Sequence, residues 1–196
     1  AAIWGFQLFL GGYRMIWIVG LGGLGGAAGF AAYTFMPHVQ SRIDGFITAG
    51  GEQYQLKRAA DAFNDGGWLG VGPGEGLVKD AIPDVHNDFI FSVLGEEFGL
   101  MACIGVLLIY TLLVLRGVAL TARHDSLFTA LAAAGLVSQL GLQALINMAS
   151  TLALIPTKGM TLPFLSYGGS SLLSLAISMG IFLALTRRRP RQESVL

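Results

Sequence analysis

This sequence reads as an all-α integral membrane protein on three grounds. Only 12% of its 196 residues are charged, about half the usual soluble share, while 54% are hydrophobic. A soluble domain of this length needs far more charge to cover its surface. Four stretches lack Asp, Glu, Lys and Arg over about the length of a membrane span, which takes ~20 mostly apolar residues: Met15–Met36, Phe98–Leu115, Ser126–Thr157 and Gly159–Thr186. The basic residues, finally, recur at alternate crossings. Twelve Lys+Arg balance twelve Asp+Glu, and a chain without a basic excess is not built to bind nucleic acid. Its one cysteine, Cys103, excludes an internal disulfide framework and a Cys-based zinc cluster. The chain opens Ala-Ala-Ile-Trp with neither a basic n-region nor a cleavage pattern, so no signal peptide is visible and the sequence reads as a piece of something longer.

Taken in order, residues 1–11 are apolar and read as the tail of a truncated span. Four full spans are predicted near 15–36, 89–115, 127–150 and 164–186, all within a single membrane domain covering 1–196. Arg14, Arg116, Arg123 and the group Arg187, Arg188, Arg189 and Arg191 fall on one side, which the enrichment of Lys and Arg in short cytoplasmic loops identifies as the cytoplasm. Residues 187–196 are then a cytoplasmic tail, and 37–88 an extracytoplasmic loop. That loop carries Asp44, Glu52, Asp61, Asp65, Glu75, Asp80, Asp84 and Asp88 against Arg42, Lys57, Arg58 and Lys79. The balanced total thus conceals a basic inner face and an acidic outer one. The loop shows no long helical period. Connections of this length in helix bundles are commonly functional or disordered, but Phe46, Tyr54, Phe63 and Trp68 and the glycine-dense run 66–76 argue for structure, since such glycines suit unusual backbone angles.

Gly20-Leu-Gly-Gly-Leu-Gly25 matches the dinucleotide fingerprint in letters but sits inside an uncharged run rather than between a strand and a helix. Its spacings Gly22/Gly26 and Gly25/Gly29 suit close helix packing in lipid instead. No organic cofactor is expected. More informative is Asp80-Ala-Ile-Pro-Asp-Val-His-Asn-Asp88, followed by Glu96 and Glu97. Acids at the hydrocarbon edge are expensive and tend to face a polar cavity or a partner; alternatively, Asp88 caps the helix that follows. Asp84, His86 and Asp88 can also ligate a divalent cation, though regular alternate ligand spacing is missing.

A third feature is Asn147, followed by Ile155-Pro-Thr-Lys158-Gly-Met-Thr-Leu-Pro163-Phe-Leu-Ser166-Tyr-Gly-Gly-Ser170-Ser171. Counting crossings puts it on the same outer face as Asp88. Lys158 is the only charge between Asp125 and Arg187; it is either a snorkelling anchor or, beside the acids, a holder of an anionic ligand. Gln139 and Gln143, one turn apart, are expected to hydrogen-bond between helices.

Together, Gly66-Gly-Trp-Leu-Gly-Val-Gly72, Pro83-Asp-Val-His-Asn-Asp-Phe89, Gly95-Glu-Glu-Phe-Gly99, Pro156-Thr-Lys-Gly159 and Leu162-Pro-Phe-Leu-Ser-Tyr-Gly-Gly-Ser-Ser171 resemble the SEDS family of peptidoglycan polymerases, over about Tyr54–Thr186. The Pro-Thr-Lys-Gly form resembles the division-type member more than the elongation-type relative. The family more often has Glu-Ala-His-Thr-Asp-Phe where this chain has Asp84-Val-His-Asn-Asp-Phe89, and Asp88 is retained. The resemblance implies a ten-span fold, of which this chain is the C-terminal part: about four full spans plus the end of a fifth. It further implies a glycosyltransferase of the bacterial inner membrane that polymerises lipid II, the undecaprenyl-pyrophosphate disaccharide pentapeptide, on the outer face at the division site. Its partners would be a class B penicillin-binding protein transpeptidase, other division membrane proteins and membrane lipid. Asp88 matches the family's proposed catalytic residue. In an inverting transfer one carboxylate serves as general base for the acceptor hydroxyl, with its pKa raised above the usual ~4 by burial and by Asp84 or Asp80. Lys158, Lys57, Arg58 or a Mg²⁺ or Mn²⁺ ion bound by Asp88 and Asp84 would balance the leaving-group charge, and His86, Asp84, Ser166 and Ser170 are the further substrate-binding candidates. The rival reading, a flippase for lipid-linked precursors, requires polar groups through the membrane depth, whereas the charges here gather at the outer mouth.

Overall fold

The computed structural model describes residues 2–47, 53–77, 85–122, 126–156 and 159–187. All regular structure among them is helical: α1 (Ala2–Leu10), α2 (Met15–Phe35), α3 (Pro37–Ile47), α4 (Gln53–Gly66), the single turn α5 (Val85–Asp88), α6 (Ile90–Thr121), α7 (Leu127–Thr151) and α8 (Gly169–Thr186). Among the described residues, four helices are long and apolar enough to cross a membrane: α2, α6, α7 and α8. The chain is a multi-pass membrane protein. Its outward surface carries exposed Leu107, Leu108, Leu112, Leu173 and Leu183, as expected where lipid rather than water is the neighbour.

The core lies where α6, α7 and α8 meet. Phe91, Cys103 and Tyr110 of α6 pack with Leu140, Ala144 and Met148 of α7, Leu175 of α8 and Leu162 of the intervening loop. Small residues let the backbones approach: a Cβ on Gly117 would lie 2.7 Å from Val137, and one on Gly141 would lie 2.8 Å from Val114. Ser126 caps α7, its Oγ accepting the Thr129 N–H at 3.5 Å. α1 joins this body through Gln7, whose Nε2 donates to the Leu131 carbonyl at 3.2 Å.

The structure departs from sequence expectation in four places. The 37–88 connection contains α3 and α4, not an aperiodic loop. The helical stripe of α4 is Ala59, Ala62, Phe63 and Gly66, too poor in large apolar side chains to stand out, yet Ala59 and Ala62 are fully buried against Phe89 and Val93. The glycine spacing of α2 meets no partner among the described residues: none of the helix's residues is buried, and a Cβ on Gly20, Gly22, Gly23, Gly25, Gly26 or Gly29 would find nothing of them within 4 Å. α8 begins at Gly169 rather than near 164. Pro163 supplies no N–H, Phe164 adopts φ 62° and the Ser166 Oγ accepts the Leu162 N–H at 2.7 Å, so residues 162–166 close a tight turn before the helix starts.

The fourth departure is a break in α6, which runs past Arg116 to Thr121 but turns non-helical at Gly99 (φ 75°, ψ −177°). A continuous helix would bond the Leu100 N–H to the Glu96 carbonyl and the Met101 N–H to the Glu97 carbonyl. Both pairs are open, and the glycine-rich segment 66–77 takes all four groups. The Val71 and Gly72 N–H groups donate to the Glu96 and Glu97 carbonyls at 2.9 and 3.1 Å, while the Leu100 and Met101 N–H groups donate to the Gly67 and Trp68 carbonyls at 2.9 and 3.3 Å. Left unpaired near hydrocarbon, each such group would cost several kcal/mol. The approach requires glycine on both sides: a Cβ on Gly66 would meet the Gly95 carbonyl oxygen at 2.0 Å, and one on Gly99 would meet the Gly70 nitrogen at 2.5 Å.

Candidate functional site

Three chain ends converge at one end of the core: the α5/α6 junction, the C-terminal turns of α7, and residues 159–171 leading into α8. Between them lies a cleft of about 530 Å³ lined by Asn87, Asp88, Gln143, Thr161, Ser170 and Ser171, with Tyr167 and backbone at 159–160 and 168. Asp88 and the 159–171 segment line one cleft, as a shared mouth counted from the crossings would have it.

Asp88 closes α5 and is half-buried. The residue at the N-cap position of α6 is Phe89, directly after Asp88. The loop side of the cleft stands against its carboxylate: a Cβ on Gly159, itself at φ 59°, would lie 3.3 Å from the Asp88 Oδ2. Two amides hold the walls together. Asn147 Nδ2 donates to the Asp88 carbonyl at 2.9 Å and to the Met160 carbonyl. Gln143 Nε2 donates to the Thr161 carbonyl and Oγ1 at 3.1 and 3.3 Å. Gln143 thus bonds the loop rather than a neighbouring helix, and Gln139 is exposed. Tyr110 OH, donating to the Pro163 carbonyl, fixes the far end of the same loop to α6.

Of the remaining sequence-derived candidates, Ser170 lines the cleft, as does Ser171, whose Oγ donates to the Gly168 carbonyl at 2.9 Å. Ser166 is buried, its hydroxyl taken by the Leu162 N–H. Lys57 and Arg58 are exposed on α4 and do not line the cleft. Asp84 and Lys158 lie outside the described residues, and His86 is placed only as part of α5. Among the described residues no group of three or more His, Cys, Asp or Glu gathers. Asp88 alone is a thin protein donor set for Mg²⁺, which demands six oxygens but takes several from water and substrate phosphates. Gln143, Thr161 and Asn87 were not singled out from sequence as site residues; the available signal was their amide or hydroxyl chemistry in or beside apolar segments.

The fold is that of a multi-pass helical membrane protein with a polar cleft at one end of its core. The chain is a member of the FtsW/RodA/SpoVE family of cell cycle proteins, whose model matches residues 1–191. It is 43% identical over 187 residues to a probable peptidoglycan glycosyltransferase FtsW of Caulobacter vibrioides, covering 95% of this chain and 48% of that protein. A probable peptidoglycan glycosyltransferase FtsW of Methylococcus capsulatus is 39% identical over 197 residues, with 96% and 48% covered. A chain from a solved peptidoglycan synthase complex superposes with a TM-score of 0.75 at 27% identity, over 95% of this chain and 53% of that one. The chain thus spans about half the length of the curated relatives it matches.

Proposed function

We propose that this chain supplies the catalytic part of a peptidoglycan glycosyltransferase that polymerises lipid II on the outer face of the bacterial inner membrane during septal wall synthesis. The names of its relatives support the reaction class, and the observation that carries the site is Asp88 on the wall of the one-ended polar cleft. The acceptor sugar's 4-hydroxyl attacks the donor's anomeric carbon. Its proton passes to the Asp88 carboxylate, the new glycosidic bond forms, and the bond to undecaprenyl pyrophosphate breaks with inversion. A pyrophosphate leaves without a strong acid but its charge needs stabilising. The N-terminus of α8, opening on the cleft at Gly168, Ser170 and Ser171, and Lys158 are placed in this role. Asp84 and His86, next to Asp88 in sequence, complete the substrate-binding set. A Mg²⁺ or Mn²⁺ ion held by Asp88, Asp84 and substrate phosphate would supply further positive charge. The partner is a class B penicillin-binding protein transpeptidase, with other division membrane proteins around it.

The test is Asp88→Asn in the full-length protein containing residues 1–196, assayed for glycan strands from purified lipid II. Removing a general base typically lowers the rate about 10²- to 10⁴-fold. Polymerisation within threefold of wild type would contradict the assignment.

A further inference from the structure

Asn147 is the least exposed polar residue of the site, with no accessible surface. Its backbone carbonyl accepts from Ser150 Oγ and Thr151 Oγ1, both at 2.8 Å, which anchors the residue near the C-terminal end of α7. Its Nδ2 spends both protons on backbone carbonyls from two other segments, Asp88 at 2.9 Å and Met160. Among the described residues its buried Oδ1 has no hydrogen-bond partner. An unpaired buried acceptor costs about 1–3 kcal/mol, so the side chain is not there merely to satisfy itself. What it achieves is a one-atom bridge between the residue bearing the carboxylate and the loop against which that carboxylate rests, since Met160 adjoins Gly159 and a Cβ at Gly159 would lie 3.3 Å from the Asp88 Oδ2.

We propose that Asn147 is the positioning residue for Asp88, its doubly donating amide holding the carboxylate at the 159–161 edge of the cleft. The inference rests on the reading of Asp88 as the base. Donor count is what distinguishes the side chains that can do this: an amide nitrogen offers two protons, a hydroxyl one, an ionised carboxylate and an alkyl group none. Asn147 is not among the residues lining the cleft, so it acts through the two segments that it bridges. A displacement of ~1 Å in a reacting group is enough to lower turnover about 100-fold.

The experiment measures kcat and KM for lipid II with Asn147→Asp, Asn147→Ser and Asn147→Leu in the full-length protein, alongside Asp88→Asn. Rates are normalised to correctly folded, monodisperse protein. The expected order follows the donors: kcat down about tenfold for Asn147→Ser and about 100-fold for Asn147→Asp and Asn147→Leu, with KM within threefold throughout. If Asn147→Leu does not fold, the Asn147→Ser and Asn147→Asp pair decides, because one is small and the other nearly isosteric. Variants that melt earlier but keep kcat per folded molecule within threefold of wild type overturn the inference and leave Asn147 a purely structural residue. Proportional changes in KM overturn it as well. An active Asp88→Asn identifies the separate failure of the base assignment, whereas an inactive Asp88→Asn beside fully active Asn147 variants sinks the positioning role alone.

Discussion

Asp88 ends the α5 turn and Glu96 lies in the second turn of α6, and the fold surrounds them in different ways. Glu96 is 2% exposed; its Oε1 accepts the Leu77 N–H at 2.7 Å and its carbonyl accepts the Val71 N–H, so it holds the glycine-rich segment onto the break in α6. Asp88 is half-buried on the wall of a cleft of about 530 Å³, with Gly159 across from its carboxylate. An acid enclosed by backbone donors is held in place, whereas one bordering open polar volume can be reached by a ligand. Composition does not separate the two; their surroundings do.

The comparison is broken or sharpened by four substitutions, the largest effect first. Asp88→Asn should lower lipid II turnover at least 100-fold while leaving the thermal unfolding midpoint in detergent nearly unchanged. Gly99→Ala should do the reverse, because a side chain at φ 75° and a Cβ 2.5 Å from the Gly70 nitrogen both oppose the loop's docking. A loss above about 2 kcal/mol in reversible unfolding is expected, and an unperturbed protein would mean the 66–77 segment is not seated on the break. Glu96→Ala should destabilise by about 0.5–1.5 kcal/mol by removing the bond to the Leu77 N–H, with activity per folded molecule falling far less than for Asp88→Asn. Gly22→Ala should be neutral or stabilise α2 by up to about 1 kcal/mol, since its Cβ meets nothing within 4 Å. A marked loss there would show that the α2 glycine face is packed against something in the membrane.

Much of this was legible in the amino-acid sequence. Gaps between charges locate α2, α6 and α7 to within a few residues, apart from the five-residue extension of α6 past Arg116, because membrane spans are written in composition. Counting crossings also brought Asp88 and the 155–171 segment to one mouth. The break in α6 was not legible: Gly99 looks like any glycine in an apolar run, and the groups that satisfy it lie about thirty residues upstream, in non-local backbone bonds that leave no periodicity. Ser166 illustrates the same limit in reverse. A hydroxyl in a Ser/Tyr/Gly cluster reads as a ligand contact until the turn it closes is seen to use it. Asn147 stood out only as a polar residue in an apolar helix; its two acceptors come from segments 59 and 13 residues away.

The central claim, that Asp88 performs chemistry rather than holding substrate or structure, is tested most directly by measuring two quantities on Asp88→Asn in the full-length protein: the Kd for lipid II and the rate of glycan formation at saturating lipid II. Loss of a general base leaves the Kd within about threefold of wild type and lowers the rate at least 100-fold. A rate preserved at saturation with a weakened Kd would make Asp88 a binding residue and contradict its role as the base.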